Sequence, residues 1–172
     1  YKDKKFHFIV EDETLGTGGA IKNVLEKNII DENENFMVLN GDTYVEFSYQ
    51  DMIKQHVNNK TVLTMLLRKI SDSKRYGVVK VNNEKIISYN EKNESGEGLI
   101  NAGVYIINSS IFENYDLKDY FSFEKDFLGL HMNDLNANYF ISNNYFIDIV
   151  RKKDYFRAQK DLTFDQRFNN LF

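Results

Sequence analysis

The chain has no cysteine, which excludes a disulfide framework, thiol catalysis and a thiolate metal site. It has no proline either, where average usage of about 5% would give several. Asparagine, by contrast, recurs in pairs at Asn58-Asn59, Asn82-Asn83 and Asn143-Asn144. Both oddities read as coding bias toward AT-rich codons and not as chemistry. Excess positive charge is also missing: the formal net charge is -4 and the pI near 5.4, with Lys and Arg scattered among acids, so no basic stripe exists to neutralise nucleic-acid phosphates. No apolar run approaches the roughly 20 residues of a membrane span, and Tyr1 to Lys5 do not make a signal peptide. A soluble, cytoplasmic protein with no membrane and no nucleic-acid partner is expected. His7, His56 and His131 lack metal-binding spacing and no Gly-x-Ser-x-Gly elbow is present, so hydrolase chemistry finds no support.

What is present suits one folded unit. The 172 residues are 42% hydrophobic and 28% charged, far from the signature of disorder. We treat 1–172 as a single domain, with no fixed-period repeat and no dividing linker. Lys5 to Val10 alternates and is rich in aromatic and β-branched residues, predicting a strand. A Gly-rich turn, Leu15-Gly-Thr-Gly-Gly19, then leads into a helix from Ala20 to Lys27. Phe36 to Leu39 is a short apolar run of the sort buried on both faces of a parallel sheet. Ser48, with Asp51 three residues later, caps a helix reaching about Val57, and Thr61 to Leu67 is another buried strand. Tyr76 to Val81 and Lys85 to Tyr89 flank a turn and predict a hairpin, so the sheet is mixed. Leu99 to Ile107 is a further strand, Ser109 to Tyr115 a short helix, and Ser122 to about Met132 a helix with Glu124 in its first turn. Tyr139 to Val150 holds two short strands, and a terminal helix runs from Lys153 to about Phe168. This alternation is that of an α/β fold.

Asp42, in Val38-Leu39-Asn40-Gly41-Asp42-Thr43, lies just past the carboxyl end of a buried strand, where open α/β sheets place ligands. The competing reading is a plain Asn-Gly-Asp turn. Asp148 interrupts an aromatic-aliphatic strand, where a charge is costly unless paired or bound to a cation; alternation pointing it into solvent is the other reading. Two acids at strand ends suit Mg²⁺, which commonly takes one or two carboxylates together with substrate phosphates. Gly16 to Gly19 could bring backbone N–H groups and a helix N-terminus up to a nucleotide, although the run is neither a P-loop nor a dinucleotide fingerprint. Lys92 and Asn101 could hold a phosphate and a sugar hydroxyl, with Glu91 accepting from other hydroxyls, or this stretch is a solvated charged loop.

Six stretches occur together: Leu15-Gly-Thr-Gly-Gly-Ala20, Leu39-Asn-Gly-Asp42, Arg75-Tyr-Gly77-Val-Val, Glu91-Lys92, Asn101-Ala-Gly103-Val-Tyr105 and Phe146-Ile-Asp148-Ile. In this order and approximate spacing they resemble the sugar-phosphate nucleotidyltransferase family, the sugar-nucleotide pyrophosphorylases. They are most similar to guanylyltransferases acting on D-glycero-α-D-manno-heptose 1-phosphate or mannose 1-phosphate. The resemblance implies a Rossmann-like mixed, mainly parallel sheet flanked by helices. It also implies that Leu15, Gly16, Thr17, Gly18 and Gly19 contact the nucleotide together with Asn40 and Gly41. Asp42 and Asp148 would hold Mg²⁺ and act in catalysis with Lys92; Gly77, Glu91, Lys92 and Asn101 would line the sugar-phosphate side. The implied partners are a nucleoside triphosphate, GTP before others, and a sugar 1-phosphate, with a homo-oligomer as a further expectation. The family opens with a strand, a Gly-rich phosphate loop containing an Arg, and a Lys soon after, and none of these precedes Phe6. The expectation is therefore an N-terminally truncated domain with an exposed apolar sheet edge, doubtful as a catalyst alone. The competing functions are a non-catalytic binding module of the same fold and a nucleotide-sugar-dependent glycosyltransferase, the latter disfavoured because no Asp-x-Asp pair follows Leu39.

Overall fold

The computed structural model describes residues 5–83, 85–90 and 96–163. In chain order the elements are α1 (Gly16–Glu26), β1 (Asn35–Leu39), β2 (Thr43–Val45), α2 (Tyr49–Asn59), β3 (Leu63–Ile70), β4 (Val78–Asn82), β5 (Lys85–Asn90) and β6 (Gly98–Asn108). A 3₁₀ turn (Ser109–Phe112), a π-helix (Phe123–Leu128) running into the single turn α3 (Gly129–His131), β7 (Ala137–Ile141), β8 (Phe146–Asp148) and α4 (Lys152–Thr163) complete it. Six strands form one sheet in the order β1-β6-β3-β7-β5-β4, and β2 and β8 form a separate pair. The mixed α/β architecture is the expected one. Its parallel character lies in strand direction more than in the ladder. β6 runs antiparallel to both β1 and β3, so β1, β3 and β7 all point the same way, but β3–β7 is the one parallel pair among the described strands.

β3 and β6 are central because both of their faces are apolar. Leu63, Met65 and Leu67 alternate with Leu66, and Tyr105 and Ile107 with Val104 and Ile106, so each strand serves two cores. One core packs Ile21 of α1 and Phe123, Phe127 and Leu128 against the first set. The other packs Val45 and Met52 against Leu66, Val104 and Ile106. At the rates seen for buried leucines, truncating Leu66 to Ala would cost roughly 2–5 kcal/mol. The predicted cap of α2 is present: Ser48 Oγ accepts from Asp51 N–H at 3.3 Å.

Three expectations need correction. Lys5 to Val10 is not a strand: Phe6, Phe8 and Val10 are 66%, 90% and 83% exposed and pair with no described strand. Alternation encodes which face a side chain takes, but a strand exists only where a ladder partner does. Phe36 to Leu39 is a strand, yet not one buried on both faces, because β1 has β6 as its one described neighbour and Leu39 is exposed. The glycines of Gly16 to Gly19 form no turn ahead of the helix; they are the first turns of α1 itself.

Candidate active site

The reason glycine occupies the start of α1 is the segment packed on it. A Cβ on Gly18 would lie 2.1 Å from the Phe121 ring, and one on Gly19 2.1 Å from the Asp119 carbonyl oxygen. The N–H groups of Gly18 and Gly19 both donate to the Phe121 carbonyl, at 3.0 and 3.3 Å, while Phe121 N–H donates back to Leu15 at 3.1 Å. Two of the N–H groups expected to meet a nucleotide are thus already committed to the chain. Thr17, just before them, turns outward: its hydroxyl donates to Glu124 Oε2 at 2.6 Å and accepts from Phe123 N–H at 2.9 Å.

Asp42 and Asp148 come together through a three-residue ladder. β2 and β8 pair antiparallel with Thr43 opposite Asp148, and Ile149 N–H donates to the Asp42 carbonyl at 2.9 Å. The Asp42 side chain is exposed, with the Thr43 hydroxyl donating to it at 3.3 Å. Asp148 is half-buried. Val150 N–H donates to its Oδ1 at 2.8 Å, and an Arg75 guanidinium nitrogen lies 3.5 Å from its Oδ2. Arg75 also reaches the buried Asp154 at 3.2 Å, so a cation stands between the cleft and α4.

Beside the acids, the β6 backbone makes a tight crossing. Gly103 has φ +70°, a left-handed conformation that suits glycine, and a Cβ there would sit 2.8 Å from Asn40 Nδ2. Asn40 N–H donates to the Gly103 carbonyl at 2.8 Å, fixing the turn that carries Gly41 and Asp42. Asn101 N–H donates to the Gly77 carbonyl at 3.0 Å, which joins two of the residues expected on the sugar-phosphate side. Gly77 leaves room for the Tyr89 hydroxyl, 2.2 Å from where a Cβ would be.

Two clefts meet here. A mostly apolar one of ≈ 760 Å³ runs along α1 and β1 and takes in Thr17, Asn40, Gly41 and Asp42. A polar one of ≈ 210 Å³ holds Asp42, Asp148, Arg75 and Asn101. The larger has the volume for a base and ribose, but the charged groups that chemistry needs are in the smaller. Thr17, Asn40, Asp42 and Glu124 line both. Leu15, Gly16, Gly18 and Gly19 line neither, and Glu91 and Lys92 lie outside the described residues. Glu124, Tyr105 and Arg75 were not foreseen in the site. Arg75 belongs to the Arg75-Tyr-Gly77 stretch but has no role assigned from sequence, and Glu124 reads there only as a first-turn acid. Burial pushes the Tyr105 phenol well above its ordinary range, with the nearby Glu124 charge adding to the shift. Its hydroxyl therefore stays protonated, donating to Glu124 Oε1 at 3.0 Å and accepting from Asn101 Nδ2 at 2.6 Å.

Comparison with known proteins bears on the family. The family profile described as Nucleotidyl transferase matches residues 2–164. The chain is 40% identical over 162 residues to the D-glycero-alpha-D-manno-heptose 1-phosphate guanylyltransferase of Aneurinibacillus thermoaerophilus, covering 94% of this chain and 69% of that protein. It is 39% identical to the enzyme of that name from Campylobacter jejuni, covering 77% of this chain and 57% of the relative. Among solved structures it is similar to HddC from Yersinia pseudotuberculosis, at TM-score 0.79 and 37% identity, over 93% of this chain and 68% of that one. HddC has also been solved in complex with GMP-PN, where the TM-score is 0.74. The chain thus spans 57% to 69% of the length of these relatives. A family profile that matches nearly the whole chain, and a relative sharing two residues in five with it, place this protein in the nucleotidyl transferase family.

Proposed function

We propose that this chain carries the metal and sugar-phosphate side of a guanylyltransferase that joins GMP from GTP to a sugar 1-phosphate of the manno-heptose or mannose type. The observation that carries the reading is the convergence of Asp42 and Asp148 on one cleft with Asn101. In the reaction an oxygen of the sugar 1-phosphate attacks the α-phosphorus of GTP in line. The bond from that phosphorus to the bridging oxygen breaks, and pyrophosphate leaves. No covalent enzyme intermediate is needed, so the protein's work is to position two anions and offset their charge.

The donor set fits Mg²⁺: two carboxylates lining one cleft, hard oxygen ligands, with room for phosphates to complete the shell. Asp42 and Asp148 would hold the ion, whose contribution is to neutralise charge on the transferring phosphate. Val150 N–H and Arg75 hold the Asp148 carboxylate in orientation. Thr17, Asn40 and Gly41 wall the nucleotide cleft, and Asn101 offers amide hydrogen bonds on the sugar side. The roles that the resemblance implies for Glu91 and Lys92, sugar hydroxyl acceptor and phosphate cation, complete the proposal.

The test is pyrophosphate release by the protein that carries this chain, with GTP, Mg²⁺ and either D-glycero-α-D-manno-heptose 1-phosphate or mannose 1-phosphate. Release is expected only with all three present, and Asp42→Asn and Asp148→Asn each should lower the rate by at least roughly 100-fold, the scale of losing one electrostatic partner of a transition state. Wild-type rates in both variants would overturn the assignment of the acids. GTP or sugar-phosphate binding without any release would point to the non-catalytic module.

A further inference from the structure

We infer that Tyr105 and Glu124 are a positioning pair that locks the side-chain amide of Asn101 in one orientation, and that the locked amide selects a hydroxyl of the sugar 1-phosphate. The second half rests on the function proposed above; the first does not. The argument starts from hydrogen-bond polarity. A carboxylate only accepts, so with Glu124 Oε1 as acceptor the Tyr105 hydroxyl must spend its proton there. Its oxygen can then only accept, and the donor that reaches it is Asn101 Nδ2 at 2.6 Å. From the other side, Gly103 N–H donates to Asn101 Oδ1 at 3.0 Å. Both ends of the amide are therefore assigned: nitrogen toward Tyr105, oxygen toward Gly103. Among the described residues one N–H and one oxygen lone pair are left over, and Asn101 lines the polar cleft. A donor and an acceptor fixed side by side match a hydroxyl, which both gives and takes a hydrogen bond.

Packing alone does not ask for this arrangement. Tyr105 is 1% exposed and its ring meets Phe123 edge-on at 5.2 Å, an environment that phenylalanine would fill without a hydroxyl to satisfy. The hydroxyl is instead placed between two side chains that both face the cleft. Glu124 is held in turn by the Thr17 hydroxyl at 2.6 Å and the Ser122 hydroxyl at 3.3 Å. It lies in the π-helix, where Phe127 N–H reaches back five residues to the Ser122 carbonyl at 3.2 Å; such wide turns are frequent at functional sites. The chain of contacts runs from α1 through Glu124 and Tyr105 to Asn101, linking the wall of the nucleotide cleft to the sugar side.

The experiment uses the protein that carries this chain and the variants Tyr105→Phe, Asn101→Ala and the double variant, with mannose 1-phosphate as the probe. Tyr105→Phe should raise the KM for mannose 1-phosphate roughly tenfold, the scale of one oriented hydrogen bond, while the KM for GTP moves less than about twofold. In the Asn101→Ala background the same change should add nothing, because Tyr105 acts through the amide. In ¹⁵N spectra the Asn101 side-chain amide should be slow to exchange in the wild type and fast in Tyr105→Phe. Equal losses for both substrates, additive losses in the double variant, or an unchanged amide would each overturn the inference. Should Tyr105→Phe unfold, the Asn101 side-chain amide must exchange faster in Glu124→Gln than in the wild type, and unchanged exchange would be equally decisive. If the wild type turns over no sugar 1-phosphate, the proposed reaction fails, while the amide exchange still decides whether Tyr105 orients Asn101.

Discussion

Replacing Gly19 with alanine sets helix propensity against packing, and the structure says packing wins. Within a helix, alanine is preferred over glycine by about 0.8–1.0 kcal/mol, so a glycine present only for local flexibility would be improved by the change. At Gly19, however, the new Cβ would sit 2.1 Å from the Asp119 carbonyl oxygen and 2.9 Å from Leu15 Cβ. Relief requires the backbone at Asp119 to retreat by about an ångström from a helix to which Phe121 is tied by three hydrogen bonds. Overpacking of that kind costs roughly 1–3 kcal/mol, and stretching the tethers adds about 1 kcal/mol. Net of the propensity gain, Gly19→Ala should lose about 1–3 kcal/mol. Urea denaturation would show it as a lower midpoint at unchanged m-value. Gly129→Ala is the control: its Cβ would meet one atom, the Glu124 carbonyl oxygen, at 3.6 Å, and stability should hold or rise by up to about 1 kcal/mol. A Gly19→Ala protein as stable as the wild type would refute the claim that the glycines exist for the contact with residues 119–121.

Two further perturbations follow from buried polar groups. His56 is 1% exposed, with Nδ1 bonded to the Thr64 hydroxyl at 2.8 Å and Nε2 buried without a hydrogen-bond partner among the described residues, and burial lowers its pKa below the ordinary 6.5. The unfolded chain therefore takes up this proton first. Its contribution is fully present above about pH 6.5 and is lost as pH falls toward the folded value, by at most about 1.4 kcal/mol per pH unit. Denaturation midpoints between pH 7.5 and 5.5 should fall less steeply in His56→Asn than in the wild type, and parallel profiles would contradict the assignment. Arg75→Gln should lower stability by roughly 1–3 kcal/mol in thermal or urea unfolding, because Asp154, 5% exposed, would keep only Arg157, at 3.7 Å, as a charged partner among the described residues. No loss would mean that the Arg75 bridge contributes nothing.

The parts of this protein legible in its sequence are those decided within a few residues of chain. Ser48 and Asp51 announce the start of α2 because a cap is a local hydrogen bond, and the apolar runs around Leu66 and Ile106 announce central strands because both faces must be buried. What was misread depended on a distant partner. Phe6, Phe8 and Val10 alternate as a strand should, but alternation says nothing about what supplies the ladder. Gly16 to Gly19 look like a loop by propensity; the Phe121 carbonyl and ring, far along the chain, make helix the better solution and glycine its requirement. The same logic separates candidate residues from a site. The order of the motifs brings Asp42 and Asp148 under suspicion, yet the three residues Thr43 to Val45 are too short to read as a strand, and it is their pairing with Phe146 to Asp148 that brings the acids to one cleft. Glu124 carried no sequence signal beyond a first-turn acid, since its partners Thr17 and Tyr105 come from α1 and β6. A motif names residues whose chemistry is suitable. The registers and crossings that bring them to one cleft are set by burial and backbone pairing, and these are properties of the whole fold.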